Sequence, residues 1–261
     1  MFDSQLYLRR ISYVSKLKPT IEALNRLHTA HMRSVPFENL DIQLGRPIEL
    51  NVDAFFNKIV HQHRGGFCYE LNGLFAELLK SVGFKVTMLS ARVARQDGTF
   101  SPEYDHMTLL VELSERWIAD VGFGESFVEP LRLDQTNEQI QYGKRYRILR
   151  HEGAFLYQLF DDNSWINQYS FHLNPHPLAD FNDMCLFHQT SPDSTFTQKT
   201  ICSRLTHDGR ITLTDKKFIF TSGTKRVETD VEGKEDFQTL LLEHFGIELP
   251  ADSVWKSTTL K

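Results

Sequence analysis

Apolar positions along the chain change their period at about residue 85, and the change divides the sequence into parts. Before it, the spacing is three and four. Pro19-Thr20 opens a run with Ile21, Leu24, Leu27 and His31 on one side, which predicts a helix ending before Pro36. Asn51 is placed to cap a second helix carrying Val52, Phe55, Phe56, Ile59 and Val60. The most regular run is Leu71, Leu74, Phe75, Leu78, Leu79 and Val82, with Gly83 as its stop. Beyond Lys85, short apolar runs separated by turn residues predict strands at 86–93, 107–113, 117–121, 144–149, 155–160 and 165–171. The remainder is mixed. Residues 177–187 read as helical, 201–206 and 210–214 flank the hairpin signal Asp208-Gly209, and 235–245 place Phe237, Leu240, Leu241 and Phe245 on one helix face before Gly246. Helices, then strands, then a mixed tail predict an α+β fold. Its parts are an N-terminal helical bundle over 1–85, a central antiparallel β-barrel or sandwich over 86–175, and a mixed α/β segment over 176–261.

The chemistry sits at the boundaries of these elements. Cys68, in Arg64-Gly65-Gly66-Phe67-Cys68-Tyr69-Glu70-Leu71-Asn72, falls in the first turn of the most regular helix. Free N–H groups and the helix dipole favour negative charge there, which predicts a thiol shifted toward thiolate. The glycines before it are expected to turn the backbone sharply and leave room for a substrate atom beside the sulfur. Downstream, His106 leads into an apolar strand in Tyr104-Asp105-His106-Met107, and Asp120 ends another in Trp117-Ile118-Ala119-Asp120. A thiol is activated by passing its proton to imidazole, and a third group must hold the ring. Cys68, His106 and Asp120 supply the three roles in that order.

Strand register tests this reading. A two-residue loop at Ser114-Glu115 places Asp120 opposite Leu109, with His106 on the other face. A three-residue loop centred on Ser114 places His106 opposite Gly122 and Asp120 opposite Thr108, so the two side chains become diagonal neighbours on one face. The chemistry requires the second register. It also requires the helical and strand regions to meet at a cleft.

Other residues refine the picture. Arg64 and Glu38 are expected to pair and fix the loop before Cys68. Phe37, Phe123 and Phe127 are candidates for an aromatic pocket, though core packing accounts for most of the 20 phenylalanines; Phe37 and Phe123 are preferred because each lies within a motif. His61-x-His63 has no cysteine or carboxylate cluster at zinc-site spacing, so no metal is assigned. With 41% apolar and 24% charged residues the chain is globular, and a net charge of −5 argues against nucleic acid as a partner. No run of apolar residues is long enough for a membrane span. The start, Met1-Phe2-Asp3-Ser4-Gln5-Leu6, becomes charged at once, with Arg9 and Arg10 following, and Cys68, Cys185 and Cys202 are odd in number. Both features point to a reducing cytoplasm. Cys185 and Cys202 lack activating flanks and are expected to be structural.

Four ordered stretches carry a family likeness: Val35-Pro36-Phe37-Glu38-Asn39-Leu40, the Cys68 run, the His106 strand and Asp120-Val121-Gly122-Phe123-Gly124. Together they resemble the arylamine N-acetyltransferase family, and Ser191-Pro192-Asp193-Ser194-Thr195-Phe196 extends the likeness to about residue 200. The resemblance implies acetyl-coenzyme A as acyl donor with no permanently bound cofactor. It implies arylamine, hydrazine or arylhydroxylamine acceptors, and a Cys-His-Asp arrangement like that of cysteine proteases at Cys68, His106 and Asp120. The third segment would act as a lid. Gly122 and Gly124 would admit the thioester or pantetheine arm, or else make a tight turn. Three rivals stay open on the residues: an amide synthase using a larger acyl thioester, a transglutaminase-like thiol hydrolase, and a binding module in which Cys68 is merely packed.

Overall fold

The computed structural model describes residues 1–15, 17–250 and 253–255. The last part of the third predicted segment, 256–261, lies outside the described residues. In the first segment, α1 (Ser4–Arg10) is followed by α2 (Ile21–Ser34), whose cap Thr20 accepts the Ala23 N–H. A two-residue strand, β1 (Phe37–Glu38), and a short helix, α3 (Leu40–Gln43), come next. Asn51 caps α4 (Val52–Phe56) as the sequence predicts. The expected helix does not continue regularly; it widens into a π turn, Asn57–His61, on which Lys58 is buried beside Ile59 and Val60. The central helix α5 (Cys68–Val82) ends on Gly83 in the left-handed conformation. Leu71, Leu74, Phe75, Leu78 and Leu79 are wholly buried on it, so α5 is the spine of the first core.

The second segment forms one antiparallel sheet. Its strands are β2 (Lys85–Val93), β3 (His106–Glu112), β4 (Arg116–Ala119), β5 (Leu131–Arg132), β6 (Gln139–Gln141), β7 (Lys144–His151), β8 (Ala154–Asp161) and β9 (Ser164–Phe171). They lie in the order β5-β4-β3-β2-β9-β8-β7-β6, curled into a nearly closed barrel. Side-chain amides join the two edges. Gln139 accepts the Arg132 N–H at 2.8 Å and donates to the Arg132 carbonyl at 3.0 Å. Gln141 accepts from Val128 and Glu129 and donates back to the Glu129 carbonyl at 2.7 Å. Each carboxamide offers one donor and one acceptor group, which is what a neighbouring peptide would offer. The β3–β4 ladder pairs Leu109 with Ala119, Leu110 with Ile118, Val111 with Trp117 and Glu112 with Arg116. This is the three-residue register centred on Ser114.

In the third segment a 3-10 turn, Leu178–Phe181, leads into α6 (Asn182–Thr190), so the helix expected over 177–187 begins as a tighter turn and runs further. Then follow α7 (Thr195–Gln198), β10 (Ile201–Leu205), β11 (Gly209–Thr214), β12 (Lys217–Ser222), β13 (Lys225–Asp230) and α8 (Lys234–Phe245). The β10–β11 hairpin closes on Leu205 and Arg210. Phe237, Leu241 and Phe245 of α8 pack with Ile211 and Leu213, and Gly246 stops the helix in the left-handed conformation.

Several strands are absent from the sequence reading, β5 and β6 among them. The first segment is not wholly helical: β1 is the edge strand of the second sheet, with Phe37 opposite Ser203 and Glu38 opposite Cys202. A two-residue strand has no period to detect. Strands β12 and β13 are also additional; β13 is exposed throughout and carries no buried face to betray it. Among the described residues no helix is long and apolar enough to cross a membrane.

Replacing Gln139 and Gln141 together with alanine leaves partly buried peptide groups of 128, 129 and 132 without partners. The double variant should lose about 1–3 kcal/mol in urea unfolding, because an unsatisfied buried polar group costs that much. An unchanged midpoint would mean that the barrel edges are held by something else.

Candidate active site

The loop before Cys68 is held from below by a buried cluster of charges. Arg64 donates from Nε to Glu38 Oε1 at 3.0 Å, and its Nη2 reaches the same oxygen at 2.8 Å and Asp41 Oδ1 at 3.2 Å. The Arg64–Glu38 pair expected from sequence is therefore present, inside a larger group. Lys58 Nζ lies 2.7 Å from Asp41 Oδ2 and 2.8 Å from Glu70 Oε1. Glu70 Oε2 accepts the Phe67 N–H at 3.1 Å and Glu38 Oε2 accepts the Leu40 N–H at 2.7 Å. The cluster thus ties α3, the π turn and the start of α5 to one another.

Glu38, Asp41 and Glu70 share Lys58 and Arg64 in the interior, and the half-exposed Arg46 reaches Asp41 Oδ1 at 3.9 Å from the edge. Burial alone would discharge Lys58, but Glu38, Glu70 and Asp41 reverse that and raise its pKa. Burial raises the Glu70 carboxyl to about 7, against the pull of Lys58 and with the push of Glu38, while its two oxygens accept from Lys58 and the Phe67 N–H.

The glycines are used differently from expectation. A Cβ on Gly65 would lie 2.0 Å from the Pro36 carbonyl oxygen, and one on Gly66 would lie 2.8 Å from the Glu70 carboxylate. The space beside them is filled by protein and is not left for substrate. Glu38 N–H donates to the Gly66 carbonyl at 2.9 Å, so this close approach joins β1 to the Cys68 loop.

Cys68 is 3% exposed at the first turn of α5. The expectation of a lowered thiol pKa is not met. Burial pushes the thiol well up, and the carboxylates of Asp105 and Asp120 push it further, while a hydrogen bond from the Met107 backbone pulls it down. Desolvation outweighs the helix terminus because it acts on the whole charge.

His106 and Asp120 meet as the register requires. His106 Nε2 donates to Asp120 Oδ2 at 2.7 Å, with the two side chains 3% and 0% exposed. Burial raises the Asp120 pKa, but His106 and hydrogen bonds from His106, Asn72 and the Gly122 backbone bring it below its ordinary value. With Nε2 engaged, Nδ1 is the His106 nitrogen free to take a proton.

Two further residues hold Asp120, and the sequence reading missed both. Asn72, one turn beyond Cys68, donates to Asp120 Oδ1 at 2.9 Å and to the Met107 carbonyl at 2.6 Å, and accepts the Val121 N–H at 2.9 Å. The available signal is its place in the Cys68 motif, four residues on and therefore on the same helix face; the structure buries it fully. His28, on α2, accepts the Asp120 N–H on Nε2 at 3.0 Å and donates from Nδ1 to the Val128 carbonyl at 2.8 Å. Its ring must be neutral to do both, and burial lowers its pKa to about 4. No local pattern marks it, because its partners are backbone atoms far along the chain.

Cys68 and His106 open onto one cavity of about 560 Å³. Phe37 and Phe123 line it, as expected, and Phe196 joins them. The Phe123 ring packs edge-on to His106 at 5.0 Å. Phe127 does not line it; fully buried, it stacks on His28 at 5.7 Å and belongs to the barrel core. Gly122 lies on the cavity wall, where an added Cβ would meet the Cys68 Cα at 2.8 Å, so the close approach it permits is to α5 itself. Gly124 has φ of 73° with open space around it, the signature of a tight turn. Cys185 and Cys202 are buried free thiols raised by that burial, Cys185 to about 12.

The sequence pattern of the N-acetyltransferase family matches residues 20–254. The chain is 35% identical to a Salmonella typhimurium protein named arylamine N-acetyltransferase / N-hydroxyarylamine O-acetyltransferase, over 88% of this chain and 83% of that one. It is 33% identical to human arylamine N-acetyltransferase 1, over 95% and 94%. The solved structure of Mycobacterium marinum arylamine N-acetyltransferase in complex with CoA superimposes with a TM-score of 0.88 at 29% identity, covering 94% of this chain and 93% of that one.

Two substitutions test the supports of the site. Asn72→Ala leaves the buried Val121 N–H without its acceptor and takes one donor each from the Met107 carbonyl and from Asp120 Oδ1, which keeps the Gly122 N–H, and should cost about 1–3 kcal/mol in urea unfolding. Glu70 has the opposite pH sign to an ordinary carboxylate. Its bound proton stabilises the fold fully below the unfolded value of about 4.3, and that stability is lost as pH rises to about 7. Between about pH 5 and pH 8, Glu70→Gln should therefore lose less stability than the parent; equal losses would place the proton elsewhere. The chain belongs to the arylamine N-acetyltransferase family.

Proposed function

We propose that this acetyltransferase works in two half-reactions through an acetyl group carried on Cys68. The observation that carries the reading is that His106, paired with buried Asp120 at 2.7 Å, shares one cavity with a cysteine at a helix start. Acetyl-coenzyme A enters; the Cys68 proton passes to His106 Nδ1 as the sulfur attacks the acetyl carbonyl. Because burial raises the thiol, thiolate and imidazolium form together as an ion pair. Asp120 stabilises the imidazolium and fixes the ring. The oxyanion is held by backbone N–H groups, that of Cys68 among them. His106 then protonates departing coenzyme A and is left neutral.

An arylamine, hydrazine or arylhydroxylamine enters next. Its nitrogen, or the oxygen of a hydroxylamine, attacks the acetyl-cysteine, and His106 takes the proton released. Aromatic amines are weakly basic, so they arrive uncharged and nucleophilic at neutral pH. Phe37 and Phe123 offer their rings to the acceptor. Gly124 supplies the turn that leaves the adjacent backbone open to the pantetheine arm. Segments 1–85, 86–175 and 176–261 act as three parts around the cavity: the first brings Cys68, the second His106 and Asp120, and the third covers them. Three unpaired thiols suit a reducing cytoplasm.

Intact-protein mass spectrometry after brief mixing with acetyl-coenzyme A tests this. The parent should gain one acetyl group, Cys68→Ala none, and aniline should discharge it. His106→Gln should slow acetylation about 100- to 10,000-fold, the range for a lost general base. A folded parent that gains no acetyl group would overturn the reading.

A further inference from the structure

The cavity holds a second imidazole that the mechanism above does not use. His188, on α6, is 5% exposed and lines the same cavity as Cys68 and His106. Its Nε2 lies 3.3 Å from Asp105 Oδ1 and 3.3 Å from the Asp105 carbonyl oxygen. Both are acceptors, so Nε2 carries the hydrogen and Nδ1 is the basic nitrogen. Nδ1 lies 3.1 Å from Ser194 Oγ. That oxygen also accepts the Phe196 N–H at 3.3 Å, which leaves its own hydrogen free to point at the imidazole.

Hydroxyl, imidazole and carboxylate thus stand in sequence, the order that the proposed mechanism gives to the Cys68 thiol, His106 and Asp120. Asp105 immediately precedes His106, so the two pairs diverge from neighbouring residues at the start of β3. The Tyr69 hydroxyl, beside Cys68, donates to the Tyr104 carbonyl at 2.7 Å and to the Asp105 carbonyl at 3.2 Å, which pins that backbone. Burial raises the Asp105 pKa, but hydrogen bonds from His188 and Ser101 and the neighbouring imidazoles bring it below the usual carboxylate value. Asp193 adds a second carboxylate to the same wall; Arg95 is the cation there.

Proton bookkeeping shows what a second base is for. At the acetyl-enzyme stage His106 is neutral and can accept one proton. An aniline arrives neutral and loses one proton in forming the amide. An alkylhydrazine or another basic amine arrives as a cation and must lose two.

We propose that Ser194, His188 and Asp105 form a proton-accepting subsite for cationic acceptors, in which His188 takes the first proton from the acceptor nitrogen. The inference rests on the acetyl-Cys68 reading. The ammonium group docks against Ser194 and the two carboxylates. One N–H proton passes to Ser194 Oγ as the Ser194 hydrogen moves to His188 Nδ1, and Asp105 holds the imidazolium. The neutral amine forms its N–C bond to the acetyl carbon. The S–C bond breaks with its electron pair going to Cys68 sulfur, His106 takes the second proton, and His188 later returns its proton to water.

The test isolates the second half-reaction. Parent and variants are first acetylated with acetyl-coenzyme A, and loss of the acetyl group is followed in single turnovers at neutral pH with aniline and with benzylhydrazine. In His188→Phe the benzylhydrazine-to-aniline rate ratio should fall about 100-fold, the scale of general-base catalysis. In His188→Gln, which keeps hydrogen bonding but not basicity, it should fall as far. A general loss of structure lowers both rates and leaves the ratio intact. An unchanged ratio in His188→Phe, or a ratio restored in His188→Gln, overturns the proposal. A parent that never acetylates overturns the two-step reading instead, so the two failures are distinct.

Discussion

A thiolate buried beside two carboxylates is expensive unless a cation is made in the same event, and the geometry around Cys68 follows from this. Burial, Asp105 and Asp120 all oppose a free sulfur anion. The local helix terminus and the Met107 hydrogen bond do not offset them. On the proposed mechanism, what offsets them is the imidazolium created when the proton moves to His106, with Asp120 ionised and aimed at the ring. The reactive form is therefore a property of the assembled site more than of the cysteine. It exists only while three elements, α5, β3 and the segment after β4, keep their relative positions.

Much of the structure serves that positioning. Asn72 bonds α5 to both β3 and the end of β4, and His28 reaches from α2 to clamp the backbone of Asp120 and Val128. From beneath, the Lys58 and Arg64 cluster holds the Cys68 loop against α3 and the π turn. That cluster is a costly device, since hydrophobic residues of similar volume would commonly be as stable. Its value lies in direction: each carboxylate also accepts a backbone or side-chain donor that fixes where a segment runs. Gly122 completes the fit by letting the segment after β4 touch α5 without a side chain between them.

The triad candidates were legible because each sits at an element boundary and because strand register is arithmetic. Once the loop centres on Ser114, the shared face of His106 and Asp120 follows, and the observed ladder is that one. Local signals also carried the caps at Thr20 and Asn51, the stops at Gly83 and Gly246, and the Arg64–Glu38 pairing. What escaped was non-local. His28 meets Asp120 across 92 positions through a backbone N–H, which leaves no trace in side-chain pattern. β1 joins a sheet whose other strands begin at Ile201. The thiol shift was misread for the same reason: the dipole is visible in sequence, whereas burial and the facing carboxylates come from elsewhere in the chain. Phe127 was ambiguous among many phenylalanines until His28 was seen stacked on it.

On the proposed mechanism the Cys68 thiolate forms only as an ion pair with His106. The most direct measurement is the rate of Cys68 alkylation by iodoacetamide as a function of pH, comparing the parent with His106→Gln. Rapid alkylation of the parent at neutral pH is expected, with a variant that reacts only above the ordinary thiol value of about 8.5. Coincident pH profiles for the two proteins would contradict it, since the sulfur would then ionise without the imidazole.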